Sequence, residues 1–260
     1  MKVALCFFGI TRSLKYTHNS IKEKIFNIFI KNKIDYDIFM HTYELNTYRN
    51  IRTNEKSNNI NNEEYKLIEP KYLLIDNQDE IKKELCLNKY RTHPDPWKTS
   101  YNSVDNFILA QYSKYRILEL LEQNKENNYD YILFIRPDCK YLTNFNIEWL
   151  KHVNDKTVII PNFALYIAPY IFNDRFIITT YNVCRIYASL FEKLLDISKK
   201  RKLHSESVIW QYLTDNNIKI ARVNFIFQRV RLNGSIPDHD RNLHKQKKNI
   251  YNKQLQLLFT

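Results

Sequence analysis

Four polar segments follow apolar, strand-like runs, and together they contain the arginine and carboxylate side chains that bind phosphate and transfer protons. They are residues 9–13, 41–44, 136–141 and 173–175. In open α/β sheets, ligands bind outside the carboxyl ends of the strands, so segments that follow parallel strands meet at one edge of the sheet. We therefore expect the functional site where these four segments converge.

The acidic segment Arg136-Pro137-Asp138 follows Tyr131–Ile135, the most strand-like run in the chain. A carboxylate at this position can bind a divalent cation that neutralises a diphosphate. Asp138 is therefore the predicted metal ligand, and Arg136 is a predicted ligand-binding residue. The alternative is structural, with Pro137 forming a turn and Asp138 capping the segment that follows.

The loop after the first apolar run carries Gly9, Thr11 and Arg12. Glycine lets a ligand approach the backbone, and an arginine beside a helix N-terminus favours phosphate. These three residues are predicted to bind the phosphate-bearing part of a ligand. The alternative is an ordinary strand-to-helix turn in which Ser13 or Thr11 is the N-cap.

Two carboxylates are candidate catalytic residues. Asp174 lies beside Arg175 and precedes an apolar run, where an aspartate can hold a substrate hydroxyl. Glu206 opens a predicted helix and can act as a general base towards a hydroxyl. The alternatives are a weak surface ion pair for Asp174, and helix capping by Ser205 with an acid in the first turn for Glu206.

Arg229 and Arg231 flank one apolar residue near the end of the last predicted strand. In an extended chain both side chains point the same way, and two guanidinium groups on one side fit a diphosphate. Solvated charges at a sheet edge are the alternative. His239, Asp240 and His244 lie just beyond, and nothing further in the sequence supports a metal site there.

Glycine content argues against two common classes of nucleotide-binding enzyme. The chain has 260 residues and only two glycines, Gly9 and Gly234. A Walker A loop needs two close glycines, and a dinucleotide fingerprint needs three within about six residues. P-loop kinases and NAD-type Rossmann enzymes are therefore set aside.

The chain is strongly basic, with 40 Lys and Arg against 28 Asp and Glu and a net charge of +12. Such a balance favours polyanionic partners, namely nucleic acid, an anionic membrane surface or a phosphate-bearing substrate. An AT-rich genome is an alternative cause, because the abundant Lys, Asn, Ile and Tyr have codons that can be written in A and T alone.

Cysteine spacing and hydropathy indicate an intracellular, cytoplasmic protein. The four cysteines, which are Cys6, Cys86, Cys139 and Cys184, are far apart and form no CxxC pair, so no zinc site is expected. The N-terminus lacks a secretory pattern. The longest apolar tract, residues 158–172, is interrupted by prolines and too short to span a bilayer.

Apolar runs alternate with amphipathic segments along the chain, which predicts an α/β fold with a mainly parallel sheet flanked by helices. Strands are predicted at residues 3–10, 35–41, 72–75, 131–135, 158–160, 176–179 and 218–227. Helices are predicted at residues 13–31, 79–87, 103–123, 183–199 and 205–216. Residues 47–64 and 237–248 are polar and have no predicted element.

Several of these motifs resemble those of poorly characterised bacterial and viral glycosyltransferase-like proteins. The motifs are residues 2–9, 11–13, 36–42, 129–138, 173–176 and 204–206. The resemblance covers most of the chain and implies a GT-A fold, a nucleotide-sugar donor and a glycan or glycoconjugate acceptor. It predicts one domain over 1–260, with a nucleotide-binding half of about 1–141 and an acceptor half of about 142–260. A viral member would act in the host cytoplasm.

The resemblance has one departure, because GT-A enzymes usually carry Asp-x-Asp where this chain has Asp138-Cys139-Lys140. Either Asp138 ligates Mn²⁺ or Mg²⁺ with help from elsewhere, or cationic side chains replace the metal. A lone carboxylate among cations binds a divalent ion weakly, so we expect metal binding only together with the donor, whose phosphates supply the remaining ligands.

Two other functions stay open at this point. A basic nucleic-acid-binding protein would use the positive charge and the tyrosines, but the basic residues are dispersed and no RNA-binding signature is present, so nucleic acid is not the expected partner. A catalytically inactive GT-A scaffold would explain the missing second aspartate. The sequence also leaves inverting and retaining chemistry open.

Overall fold

A computed structural model describes residues 1–162, 172–247 and 258–259, with side chains described up to residue 242 within those ranges. Most of the apolar tract at 158–172 and the side chain of His244 therefore lie outside the described residues. Within the described ranges, none of the helices has the length and apolar character that crossing a bilayer requires.

The chain alternates between strands and helices. The strands are β1 (Lys2–Phe8), β2 (Asp35–Glu44), β3 (Tyr48–Asn50), β4 (Glu55–Ser57), β5 (Tyr72–Asn77), β6 (Tyr131–Ile135), β7 (Cys139–Tyr141), β8 (Thr157–Pro161), β9 (Phe176–Thr179), β10 (Lys219–Val223), β11 (Phe227–Arg229) and β12 (Leu258–Phe259). The helices are α1 (Leu14–Ile21), α2 (Asn27–Lys31), α3 (Gln78–Glu84), α4 (Asn102–Gln123), α5 (Tyr181–Lys200), α6 (Ser205–Asp215) and α7 (Asp238–Lys247), with a π-helical turn over Lys22–Phe26 joining α1 to α2.

The central sheet has the strand order β12-β10-β8-β9-β6-β1-β2-β5. Strands β10, β8, β6, β1, β2 and β5 all run in one direction, while β9 runs antiparallel between β8 and β6. This confirms the predicted α/β fold with a mainly parallel sheet. Strands from both predicted halves of the chain share the sheet, and the division into two halves stays a prediction.

Continuous apolar runs form the middle of the sheet because both of its faces are covered. Side chains of β1 alternate between two cores: Ala4, Cys6 and Phe8 pack with α4 and α5, whereas Val3, Leu5 and Phe7 pack with α1 and α2. This layering places the carboxyl ends of six strands at one edge of the sheet, where the candidate segments begin.

The antiparallel direction of β9 corrects one sequence inference. Residues 173–175 were expected to follow a strand, but they precede β9. Because β9 is reversed, its amino end lies at the edge where the other strands have their carboxyl ends. The Arg136 N–H donates a 3.0 Å hydrogen bond to the Arg175 carbonyl, which joins the two segments directly.

The last predicted strand, residues 218–227, is wrong as a single element. It divides into β10 in the central sheet and β11, which pairs antiparallel with β7 in a small separate sheet. Phe225 lies between the two, fully buried, with its ring stacked 4.7 Å from that of Tyr141. Apolar residues continue through the break at Phe225 and Ile226, so hydropathy alone does not reveal it.

Two polar regions without a predicted element also contain structure. Residues 47–64 include the hairpin β3–β4, and residues 237–248 include α7. Both have short or mostly polar elements, which a hydropathy pattern does not identify. Both contribute side chains to the site described below.

We predict that Phe225→Ala lowers the free energy of unfolding by about 3–5 kcal/mol, because it leaves a cavity among buried aromatic rings. The rings of Tyr141, Phe176 and Trp149 lie 4.7, 4.9 and 5.4 Å from the Phe225 ring. Urea unfolding measures the loss. The control is Ile30→Ala, since Ile30 is 62% exposed and should cost about 0.5 kcal/mol or less. Similar losses for the two variants would contradict the described core.

Candidate active site

The loop from Gly9 to Ser13 leaves β1 and enters α1 at the carboxyl edge of the sheet. Gly9 has φ of +90°, and a Cβ added there would meet nothing within 4 Å. The Leu14 N–H donates to the Thr11 carbonyl at 2.8 Å, which closes the turn into the helix. Ser13 precedes the helix, but its side chain makes no capping hydrogen bond. The loop therefore leaves open space beside Gly9 and Arg12.

Asp138 lies buried between two arginine side chains. Arg136 Nε donates to Asp138 Oδ1 at 2.9 Å, and Arg136 Nη2 donates to Oδ2. Arg12 Nη2 lies 3.7 Å from Asp138 Oδ2, and the Arg12 guanidinium lies 4.7 Å from the centre of the Tyr48 ring. The structure thus brings Arg12, Arg136 and Asp138 together. This agrees with the expectation that the segments after the first and the central strand converge.

Electrostatics hold this cluster in its charged state. Burial by itself would raise the pKa of Asp138, but the nearby Arg136 and Arg12 guanidinium groups lower it well below its usual range. Burial would lower the pKa of Arg136, and the Asp138 and Asp174 carboxylates raise it instead. Asp138 and Arg136 therefore both carry charge across the physiological pH range.

Asp174 and Glu206 meet on the two sides of Arg175. Arg175 Nη1 lies 3.0 Å from Asp174 Oδ1, and Arg175 Nη2 lies 3.9 Å from Glu206 Oε1. The Ser205 hydroxyl donates to Glu206 Oε2, and His204 Nδ1 lies 3.5 Å from the same oxygen. Glu206 is only 6% exposed, so it lies within the site rather than on a solvated helix end.

The two carboxylates differ in their electrostatic surroundings. Burial would raise the pKa of Asp174, but Arg175, Arg136 and Lys114 outweigh burial and lower it. A carboxylate with a lowered pKa stays ionised but is a weaker proton acceptor. Glu206 has one arginine near it, at the longer distance of 3.9 Å.

Arg229 and Arg231 line the same region, and each contacts a carboxylate from a separate element. The Arg229 N–H donates to Asp240 Oδ2 at 2.7 Å, and its Nε donates to the same oxygen at 2.9 Å. Arg231 Nη1 lies 3.6 Å from Glu55 Oε2. Asp240, one of the residues of the suggested metal cluster, is thus engaged by an arginine.

Two adjoining clefts occupy this edge of the sheet and share lining residues. The first is largely apolar and aromatic with amide side chains, and it is lined by Phe8, Gly9, Ile10, Arg12, Tyr43, Tyr48, Asn50, Gln78, Asn106, Leu109, Ala110, Arg136, Pro137 and Asp138. The second is rich in arginine and contains both candidate catalytic acids. It is lined by Arg12, Asn50, Arg52, Thr53, Trp97, Ser103, Asn106, Phe107, Ala110, Arg136, Asp174, Arg175, Ser205, Glu206, Arg229 and Arg231. We call these the apolar cleft and the arginine cleft.

A buried polar network that sequence reasoning missed holds the Gly9 loop. The Gly9 N–H donates to Ser113 Oγ at 2.8 Å, and Ser113 Oγ lies 2.8 Å from His41 Nδ1. His41 Nε2 lies 3.0 Å from Asp76 Oδ2. Burial lowers the pKa of His41, while hydrogen bonding to His41 lowers the pKa of Asp76 to about 2. The neutral ring therefore donates to the Asp76 carboxylate and accepts from the Ser113 hydroxyl.

A second missed residue is Lys114, which lies fully buried beneath the site. Its Nζ donates to the Tyr187 hydroxyl at 2.7 Å and lies 4.6 Å from the centre of the Phe8 ring. Burial lowers the pKa of Lys114 to about 7. A sequence signal exists, because Lys114 stands three residues after Gln111 and four before Leu118 on the buried face of α4.

The residues around Asp138 do not fit a resident divalent cation. Among the described residues, no three His, Cys, Asp or Glu side chains converge as a metal site. A divalent cation that touched Asp138 would lie beside two guanidinium groups, each repelling it by about 8 kcal/mol at 4 Å and an effective dielectric constant of about 20. Lys140, where the second aspartate is usual, is exposed on β7 and lines neither cleft.

We predict that Ser113→Ala loosens the Gly9 loop, because the Gly9 N–H and His41 Nδ1 both lose a partner, at about 1–3 kcal/mol for each unpaired group. Amide hydrogen exchange measured by NMR should be faster at Gly9. The control is Thr179→Val, which removes a buried hydroxyl that donates to the Ile132 carbonyl at 3.2 Å in the same sheet. Unchanged exchange at Gly9 in Ser113→Ala would show that another group holds the loop.

The lowered pKa of Lys114 predicts that the difference in stability between the wild type and Lys114→Met depends on pH. Its pKa is about 7 in the folded protein and about 10.4 in the unfolded chain. Between these values the unfolded state binds more protons, so the wild type gains stability relative to the variant as the pH rises from about 7 to about 10. Melting temperatures of both proteins at several pH values measure this gain. A constant difference over that window would contradict the lowered pKa.

Comparisons with known proteins find similar solved structures. No family model matches the sequence, and no curated protein is significantly similar to it. One similar solved structure is the galactosyltransferase LgtC in complex with donor and acceptor sugar analogs, at 10% identity and a TM-score of 0.45 over 82% of this chain and 70% of that chain. Another is mouse xyloside xylosyltransferase 1 in its apo form, at 10% identity and a TM-score of 0.43 over 84% of each chain. Both of these enzymes are glycosyltransferases.

Proposed function

We propose that the protein is a glycosyltransferase that moves a sugar from a nucleoside-diphosphate sugar to a hydroxyl group of a glycan or glycoconjugate. One observation carries this proposal: an apolar cleft and an arginine cleft adjoin at the carboxyl edge of the sheet, and the second is lined by the buried Glu206 and the half-buried Asp174. The pair of clefts matches a donor that has an apolar base at one end and a charged diphosphate with its sugar at the other.

The apolar cleft suits the nucleoside part of the donor. Tyr43, Tyr48 and Leu109 provide flat or apolar surfaces, and Gln78 and Asn106 provide amide groups that can hydrogen-bond a base or ribose. The absence of a side chain at Gly9 leaves the floor of this cleft open. Gly9 lines this cleft and keeps its proposed binding role, whereas Thr11 is 3% exposed and lines neither cleft, so its predicted contact with a ligand has no support in the structure.

The arginine cleft suits the diphosphate and the reacting sugar. Arg12 and Arg136 line both clefts and therefore lie where base and sugar halves of a donor would join. Guanidinium groups bind phosphate oxygens through paired N–H donors. Arg229 and Arg231 line the far part of the arginine cleft, where they can meet a phosphate or an acceptor.

We assign the role of general base to Glu206. The acceptor oxygen forms a bond to the anomeric carbon of the sugar, and the bond from that carbon to the phosphate oxygen breaks. The acceptor proton passes to the Glu206 carboxylate, and the electron pair leaves with the nucleoside diphosphate. Arg12 and Arg136 face the charge that develops on the leaving group, and such preorganised donors stabilise a transition state. This sequence of events inverts the anomeric configuration.

Asp174 has a different role in this proposal. Its pKa is lowered by Arg175, Arg136 and Lys114, so it stays ionised and is a weak proton acceptor. It holds Arg175 at 3.0 Å and lines the arginine cleft, where its carboxylate can accept hydrogen bonds from sugar hydroxyls. Asp174 is therefore a substrate-holding residue.

A thermal-shift screen of nucleoside-diphosphate sugars tests the proposed function. A true donor at a hundred times its Kd should stabilise the protein by about 2.7 kcal/mol. Binding of a donor without sugar transfer to any acceptor in a glycan panel would favour the inactive scaffold. Binding of random single-stranded DNA that weakens steeply with salt, without any sugar nucleotide, would favour the nucleic-acid-binding protein.

Once a donor is found, we predict that Glu206→Gln lowers kcat by about 10²-fold or more while the donor-induced thermal shift stays the same. The glutamine keeps the shape of the side chain but cannot take a proton. Glu84→Gln, on the exposed face of α3, is the matched control and should leave kcat unchanged. If Glu206→Gln keeps full activity and Asp174→Asn is inactive, the general base is Asp174 and not Glu206.

A further inference from the structure

We propose that arginine side chains, not a divalent cation, neutralise the donor diphosphate, and that Asp138 is the residue that holds these arginines in place. The inference rests on the proposed function and deepens it, because it assigns the charge partner of the diphosphate. It follows from the geometry of Asp138, from the free N–H groups of its two arginines and from the position of Lys140.

Both oxygens of Asp138 are already engaged by protein groups. Arg136 meets them through two N–H groups, and Arg12 lies 3.7 Å from Oδ2. Asp138 is 4% exposed, so little of its carboxylate faces the cleft. A metal ion would have to displace an arginine from this carboxylate before it could bind.

The two arginines retain hydrogen-bonding capacity for a ligand. A guanidinium group carries five N–H donors, and Asp138 takes only those on Nε and Nη2 of Arg136. The Arg136 side chain is 28% exposed and lines both clefts. Asp138 thus engages one edge of the Arg136 guanidinium group. The remaining N–H groups of Arg136 keep hydrogen-bonding capacity for a phosphate in the clefts.

Arg12 provides the second, independent observation. It is 8% exposed, and its Nε has no hydrogen-bond partner among the described residues. Its guanidinium plane lies 4.7 Å from the centre of the Tyr48 ring, which fixes its position. A buried polar group without a partner is costly, so a ligand that accepts its hydrogen bond gains affinity.

The second position of the usual acidic pair is also directed away from the site. Cys139 and Tyr141 of β7 are buried, whereas Lys140 between them is exposed. Successive side chains of a strand point to opposite faces, so a carboxylate at residue 140 would point the same way as the lysine. The cations at Asp138 are therefore Arg136 and Arg12, and not Lys140.

Calorimetric titration of UDP, GDP, CDP and ADP, each in excess EDTA and in millimolar Mg²⁺ or Mn²⁺, tests this inference. We expect at least one nucleotide to bind, with a Kd that differs by less than threefold between EDTA and metal. Binding that requires metal would overturn the inference and leave the proposed glycosyltransferase standing. Failure of all four nucleotides under every condition would overturn both.

Variants make the assignment specific. Arg12→Lys and Arg136→Lys keep the charge but lose the planar fork, and each should weaken nucleotide binding at least tenfold in EDTA and in metal alike. Asp138→Asn should weaken nucleotide binding by a similar factor in EDTA and in metal, because Arg136 loses the carboxylate that orients its guanidinium group. The matched control is Arg185→Lys on α5, where Arg185 is 62% exposed and should not affect binding.

A thermal unfolding curve of each variant shows whether it is folded at the assay temperature. The comparison of EDTA with metal uses the wild type, so it does not depend on the folding of any variant. If Asp138→Asn abolishes only a metal-dependent gain in affinity and leaves binding in EDTA unchanged, Asp138 is a metal ligand and the inference is wrong.

Discussion

The buried charge cluster of Asp138, Arg136 and Arg12 determines the geometry of the whole cleft. A buried carboxylate or guanidinium group without a partner is strongly unfavourable, so the three side chains depend on one another. The Thr17 hydroxyl donates to the Pro137 carbonyl at 2.6 Å, which ties the segment that carries Asp138 to α1. This contact joins the segment after β6 to the helix that follows the Gly9 loop, and residues of both segments line the apolar cleft.

The same pairing of arginine with carboxylate recurs across the site. Arg175 contacts Asp174 and Glu206, Arg229 contacts Asp240, and Arg231 contacts Glu55. Several of these carboxylates lie on elements outside the central sheet, namely β4, α6 and α7. Each pair orients a guanidinium group before any ligand arrives, and oriented donors are worth more to a transition state than mobile ones. The peripheral elements therefore supply carboxylate counter-charges to the arginines of the site.

One reversed strand joins the two halves of the chain at this site. Because β9 runs antiparallel between β8 and β6, Asp174 and Arg175 reach the same edge as Gly9 and Asp138. The hydrogen bond between the Arg136 N–H and the Arg175 carbonyl links the segment that carries Asp138 to the segment that carries Asp174.

The sequence by itself determined the class of fold and the identity of the main site segments, because strands buried on both faces leave continuous apolar runs and polar loops interrupt them at the sheet edge. Only the tertiary structure decided the direction of β9, the break at Phe225 and the carboxylate that each arginine contacts. It also revealed the Ser113 hydroxyl that accepts from Gly9, 104 residues away along the chain. Hydropathy reports whether a residue is buried, whereas pairing depends on which distant side chain lies opposite, and no local pattern records that.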